Sequence, residues 1–248
     1  MHRLGLVSVS FRNKTPEEIL SAVMTARLTC VEWGSDVHAP KDNYQKLKEI
    51  AELQKKYDIE CCSYGTYFRL GVTPIEELQN YINAAEILGT DILRLWCGNK
   101  DASFYTESEK QELFDVCRTA ANIAVKNGVT LCMECHGGTY TSNIFSALEL
   151  MRAVDNKSFR MYWQPNQFAT KDDNLFYAEK IVPYTEHIHV FNWDENNKYP
   201  LEKSVDVWQA YLEKLGNDRT FLLEFMPDDK LETLKIEADS LRKIVGET

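Results

Sequence analysis

Four side chains able to bind a metal or move a proton stand in or at the ends of apolar runs in the second half of the chain. They are Glu134 in TLCMECHGG, Gln164 in FRMYWQP, His189 in HIHVFNW and Glu224 in TFLLEFMP. Placing a carboxylate, an amide or an imidazole among apolar neighbours is costly unless the group is paired or used. Two anionic oxygens, an amide carbonyl and an imidazole make a donor set suited to one divalent cation. Any one of the four alone reads as a satisfied core residue, but four in successive runs at equivalent depth point to one site.

Other polar residues fall around them. His187 shares the side-chain direction of His189 but lies deeper, and reads as a core histidine. His136, two residues beyond Glu134, shares its face and reaches further out, towards substrate contact or acid/base work. Glu32, Gly34, Asp36 and His38 alternate in register, which brings Glu32 and His38 to the rim of the same pocket. Arg94 and Trp96 share a face in ILRLWCG, and Arg94 reads either as half of a structural ion pair or as a substrate contact. Trp33, Trp96, Trp163 and Trp193 sit in such runs or at their ends, where an aromatic face can pack on a bound small molecule. Trp163 points opposite to Gln164 and reads as core packing, while Trp208 falls on a helix.

Eight runs rich in β-branched and aromatic residues supply the elements that must position these groups. They are LGLVSVSF, CVEWGSD, IECCSYGTY, ILRLWCG, TLCMECHGG, FRMYWQP, HIHVFNW and TFLLEFMP, and they alternate with helical periodicity near 16–27, 42–57, 74–89, 107–127, 143–154, 172–183, 204–215 and 230–245. Thr15-Pro16-Glu17-Glu18 and Thr73-Pro74-Ile75-Glu76 both read as a Thr N-cap, a Pro in the first turn and a Glu closing a capping box. Gly89, Gly128 and Gly216 mark helix ends. Eight βα units without a break in composition predict a (β/α)₈ TIM barrel spanning 1–248 as a single domain, with its chemistry at the carboxyl ends of the strands. An open doubly wound sheet is disfavoured because no GxGxxG or GxxxxGK[ST] follows a strand.

The chain of 248 residues is 44% hydrophobic and carries a net charge of -10, from 28 basic and 38 acidic side chains. That balance repels phosphate backbones and argues against a nucleic-acid partner. No apolar run approaches the ~18–20 residues of a membrane span, and LGLVSVSF lacks a cleavage site, so a soluble cytoplasmic protein is expected. Seven cysteines, mostly in apolar segments, read as reduced, buried thiols. Cys132 and Cys135 form the single CxxC, but on a strand residues three apart face opposite ways, which disfavours a zinc knuckle. The sequons at Asn13 and Asn156 carry no meaning in such a protein.

Together, EWGSDVH, SYGTYFRLG, MECHGG, YWQPNQ, HIHVFNW and LLEF resemble the sugar isomerases and epimerases of the xylose isomerase-like TIM barrels, a family that includes inosose dehydratases and apurinic endonuclease relatives. The resemblance covers essentially the whole chain. It implies one divalent metal ion (Mn, Mg, Co or Zn) held by Glu134, His189 and Glu224, with Gln164 in the place of the usual Asp. A neutral amide is the weaker ligand, and it leaves the site with M²⁺ and two carboxylates formally neutral. Gln167 occupies the place where the epimerases usually carry a His that contacts substrate. The endonuclease branch needs more His and acidic ligands than this chain, with five His, supplies. Oligomerisation is suggested by the family alone.

The expected reaction is removal of a proton next to a carbonyl, with a cation stabilising the enediolate and Glu134 and Glu224 as base and acid. Epimerisation or aldose–ketose isomerisation follows from that step. An inosose dehydratase-type lyase would use His136 or His38 over a leaving hydroxyl, and a non-catalytic sugar-binding barrel is the reading that Gln164 leaves open. The loops DENNKYP and PDDK, acidic and free of Gly, point to an unphosphorylated sugar or polyol, while Arg12, Lys14 and Arg69 keep a sugar phosphate open.

Overall fold

Eight of the apolar runs pair side by side, all parallel: β1 (Arg3–Val7), β2 (Cys30–Gly34), β3 (Glu60–Leu70), β4 (Ile92–Cys97), β5 (Thr130–Met133), β6 (Phe159–Trp163), β7 (Thr185–Val190) and β10 (Thr220–Leu223). In the order β1-β10-β7-β6-β5-β4-β3-β2 they close a barrel, so none of these eight strands keeps an open edge. A short hairpin, β8 (Trp193–Asp194) with β9 (Asn197–Lys198), rises from the loop after β7. The computed structural model describes residues 2–194, 196–216 and 218–247. Among these, no helix is long and apolar enough to cross a membrane.

Helices α1 (Pro16–Thr25), α2 (Tyr44–Tyr57), α3 (Leu78–Leu88), α4 (Glu107–Asn127), α5 (Ile144–Val154), α6 (Lys171–Ile181), α7 (Val205–Leu215) and α8 (Leu234–Val245) surround the barrel. Capping boxes start three of them, at Thr15/Glu18, Thr106/Glu109 and Thr170/Asp173. Each satisfies backbone donors that a helix start otherwise leaves bare.

Thr73 does not cap a helix as its sequence suggests. Its hydroxyl accepts from the Arg69 backbone N–H, closing the end of β3, and Pro74 is extended. The chain then makes a 3₁₀ turn over Ile75–Glu77, and α3 begins at Leu78. LGLVSVSF also divides: β1 ends at Val7 and Ser8–Phe11 coil into a 3₁₀ turn across the barrel mouth. There the Ser8 hydroxyl accepts from the Gly34 backbone N–H and the Ser10 hydroxyl from that of Phe225.

Two packed regions follow from strand alternation. Outward side chains build one large core against the helices, with Trp33, Trp163 and Trp208 in it. Inward side chains build a smaller one from Val7, Val9, Cys30, Cys62, Cys132, Tyr162 and Leu222. Cys132 faces the barrel interior and Cys135 packs on the outer core, as expected for residues three apart on a strand.

Candidate active site

The inward positions that follow Cys30, Cys132, Tyr162, His187 and Leu222 by two residues are Glu32, Glu134, Gln164, His189 and Glu224, and β4 adds Arg94 and Trp96. Strand register therefore stacks a polar storey on the small apolar plug. Glu32 pairs in register with Ser63, Gly34 with Gly65, and Gly65 with Arg94. A Cβ at Gly65 would lie 2.7 Å from Glu32 Oε1 and 2.9 Å from Arg94 Nη2, so the bare backbone there makes room for an ion pair.

Arg94 is the hub of that storey. Its Nε donates to Glu32 Oε1 at 3.0 Å and its Nη1 to Glu134 Oε2 at 2.7 Å, with side-chain exposures of 4%, 0% and 5% for Arg94, Glu32 and Glu134. The Trp96 indole N–H donates to the same Oε2 at 2.7 Å. The Ser63 hydroxyl donates to Glu32 Oε2 at 2.8 Å, and His189 Nε2 lies 3.7 Å from that atom. Arg94 thus makes the buried ion pair of one sequence reading, and it also lines the pocket, where the other reading places it. Glu32 does not reach the rim, because register sinks it beneath the pocket floor.

Above Arg94 the four expected ligands converge. His189 Nδ1 lies 3.5 Å from Glu134 Oε1, 3.5 Å from Glu224 Oε2 and 3.0 Å from Gln164 Oε1. The Gln164 amide nitrogen donates to the Cys135 carbonyl at 3.1 Å, turning the amide oxygen towards the cluster. Ligand atoms of Glu134, His189 and Glu224 all lie within 4.8 Å of one another. The donor chemistry fits a divalent cation, and Nδ1 is the imidazole atom that faces the other donors.

The electrostatics of the bare cluster point the same way. Burial would raise Glu134, but the Arg94 guanidinium and then His189 hold it down at about 2. Burial, reinforced by the Glu134 charge, pushes Glu224 up to about 7 against the pull of His189 and Arg94. Burial would lower His189, yet Glu224, Glu134 and Glu32 raise it to about 10. A divalent cation bound here would therefore displace protons from His189 and Glu224.

Glu134, Gln164 and Glu224 line a cavity of about 460 Å³, within the range of small-molecule sites, and His189 is buried behind them. Trp96, His136, Gln167, Gln164, Glu134 and Glu224 line it, as do Trp193 and Phe225, whose rings stack at 4.8 Å. Exposed His136 lies 5.1 Å from the Trp96 ring. Phe225 has a φ of 57°, unusual for a bulky residue, and this left-handed turn directly follows Glu224.

His38 is absent from the cavity wall, contrary to its expected place at the rim. It is buried beside Ser8 Oγ at 3.1 Å and against Trp33, and burial pushes it down to about 4. His187 lies inside the barrel beside Tyr162, with Nε2 3.2 Å from the Cys62 carbonyl. Sequence reasoning did not single out Tyr67, Ser142, Asn166 and Phe225, all of which line the cavity. For Ser142, Asn166 and Phe225 a position after a strand end was the available signal, whereas Tyr67 lies within β3.

The family model described as xylose isomerase-like TIM barrel matches residues 22–244. The 3-dehydroshikimate dehydratase of Bacillus anthracis is 23% identical over 174 residues, 64% of this chain, and the chain spans 60% of the length of that relative. Among solved structures, the probable 3-DHS dehydratase AsbF of Bacillus anthracis superposes with a TM-score of 0.82 at 17% identity, covering 97% of this chain and 98% of that one. The IolI protein, solved with a bound zinc atom, gives 0.76 at 14% identity, covering 98% of both chains.

Proposed function

Because the chain belongs to the xylose isomerase-like TIM barrel family, we propose that it is a divalent-metal-dependent enzyme that enolises a small polyhydroxylated carbonyl compound and returns it as an isomer or epimer. The observation that carries this reading is the convergence of Glu134, Gln164 and Glu224 oxygens on His189 Nδ1 at one end of the cavity. Those four residues would hold the cation, which when bound supplies Lewis-acid polarisation of the substrate carbonyl.

The chain's own groups account for the proton transfers. Arg94 and Trp96 grip Glu134 through Oε2 and leave Oε1 turned to the cluster, so the carboxylate stays ionised and fixed as the base for the carbon-bound proton. Glu224, just past the last barrel strand, delivers the proton of its own carboxyl group to the other face of the enediolate, Glu134 keeps the one it took, and exchange with solvent restores both. Trp96 and the stacked Trp193 and Phe225 give apolar surfaces for the carbon skeleton and exclude water from it.

A second outcome of the same step is loss of a β-hydroxyl. It is favoured by the exposed His136 imidazole on the cavity wall, which can protonate a departing hydroxyl, and by the likeness to 3-dehydroshikimate dehydratase.

Solvent deuterium incorporation into ketoses, inososes and 3-dehydroshikimate, followed by NMR with Mn²⁺-loaded protein, tests both readings. Exchange with recovered isomers supports the first, and unsaturated products support the second. Glu134→Gln and Glu224→Gln should each slow exchange by about 10²–10⁴-fold. Full exchange in both variants would overturn the acid/base assignment.

A further inference from the structure

The metal cluster accounts for one end of the cavity, and the barrel mouth holds a second set of polar groups. Arg12, from the turn after β1, lines the cavity with a side chain 47% exposed. Its Nη1 is paired with Asp36 Oδ2. Its Nη2 donates to the Tyr67 hydroxyl at 2.5 Å, and its guanidinium carbon lies 6.0 Å from the Tyr67 ring centroid.

Tyr67 stands edge-on to Trp96 at 5.0 Å, and Trp96 in turn holds Glu134. One continuous chain of contacts, Asp36–Arg12–Tyr67–Trp96–Glu134, thus spans from the mouth to the reacting end. Of the cavity-lining residues described, the cations are Arg12 and Arg94, and both carboxylate partners of Arg94 already engage it.

We propose that Arg12 and Tyr67 form an anion-binding subsite at the mouth, and that the substrate is an acid: a polyhydroxylated carbonyl compound with a carboxylate or phosphate group remote from the carbon that loses its proton. The inference rests on the proposed function for the reacting end only. A guanidinium presents five donors in a planar fork, and Asp36 and Tyr67 occupy one nitrogen each, leaving donors for an anion. Asp36 and Tyr67 restrain the fork before any ligand arrives, which cuts the ordering cost of binding. Asp36 and Tyr67 anchor the guanidinium without burying it, and Arg12 is the cavity-wall cation that stays half exposed, so its remaining donors face an incoming anion. Binding energy gathered remote from the chemistry also helps to orient the reacting carbon.

The test uses binding, so it does not depend on turnover. Titration calorimetry of the Mn²⁺-loaded protein compares shikimate with its neutral methyl ester, and fructose 6-phosphate with fructose. The acids should bind at least tenfold tighter than their neutral partners, and this ratio should collapse by about 10- to 100-fold in Arg12→Gln, the range of a charge-assisted hydrogen bond. Arg12→Lys, which keeps the charge but loses the fork, should fall between. A preference confined to shikimate identifies a carboxylate, and one confined to fructose 6-phosphate identifies a phosphate. Equal affinity for both members of each pair, or an unchanged ratio in Arg12→Gln with the Tm preserved, would overturn the subsite. Arg12-dependent binding without deuterium exchange in any ketone would count against the reaction and leave the subsite standing.

Discussion

Replacing Arg94 by Met removes the positive charge between two buried carboxylates while keeping much of the side chain's bulk. Glu32 then retains the Ser63 hydroxyl and the more distant His189, and Glu134 retains the Trp96 N–H. Breaking a buried ion pair by deleting one partner costs about 3–5 kcal/mol. Glu134 gives an independent figure: holding it at about 2 against an ordinary 4.5, with Arg94 the largest lowering influence, corresponds to roughly 3 kcal/mol in favour of the charged form. For a chain of this size such a loss lowers Tm by about 6–20 °C.

The pH dependence follows from the sign of the shift. A depressed carboxylate contributes stability that is complete above its unfolded value near 4.5 and is lost as pH falls through about 2. The Arg94→Met penalty should therefore be full at pH 7.5 and shrink towards acid, where Glu134 in the variant protonates readily. Urea unfolding of the metal-free protein at pH 4 and 7.5, followed by circular dichroism, measures it. Arg94→Met/Glu32→Gln should recover part of the loss by removing one stranded charge. A penalty below about 1 kcal/mol, or one equal at the two pH values, would refute the account of Arg94 as the counter-charge of the polar storey.

Three further outcomes are expected. Mn²⁺ binding should release about one proton near pH 8, from His189, and approach two below pH 7 as Glu224 contributes, so affinity rises with pH; calorimetry in buffers of different ionisation enthalpy counts the protons, and pH-independent affinity rejects the site. Gln164→Asp should tighten Mn²⁺ binding by roughly tenfold, about 1.4 kcal/mol, since a carboxylate replaces an amide oxygen beside His189; weaker binding would place Gln164 outside the ligand set. Thr15→Ala removes the α1 capping box and should cost about 1 kcal/mol without changing metal affinity, which separates scaffold from site.

The barrel and the convergence of four polar side chains at its mouth were legible because both rest on local pattern. Two-residue alternation aims Glu134, Gln164, His189 and Glu224 inward, and it needs no knowledge of neighbouring strands. What depends on register between strands was hidden. Pairing of Glu32 with Arg94 follows from the shift between Val31 and Glu32 in the β2–β3 ladder and from the bare backbone at Gly65. His38 continues the alternation of β2 on paper, but that strand ends at Gly34 and the chain turns back over Ser8. Thr73 carries a helix-start motif, yet the backbone of β3 claims its hydroxyl first. Arg12 and Tyr67 lie 55 residues apart, and the side-by-side pairing of β1, β2 and β3 brings them together.

The apolar plug beneath the polar storey gives the molecule an internal gauge of its own opening. Cys30, Cys62 and Cys132 are fully enclosed in it, while Cys61, Cys97 and Cys117 are enclosed in the layer against the helices. Cys135 alone is partly open, and burial pushes it up to about 12, so it offers little thiolate. An alkylating reagent at neutral pH thus meets seven thiols that are nearly silent in the native state. Each of the six enclosed thiols becomes reactive only when its own layer parts. Mass-resolved labelling over time would then rank the layers by opening free energy without a single introduced probe, and would show whether metal binding above the plug fastens the strands below it.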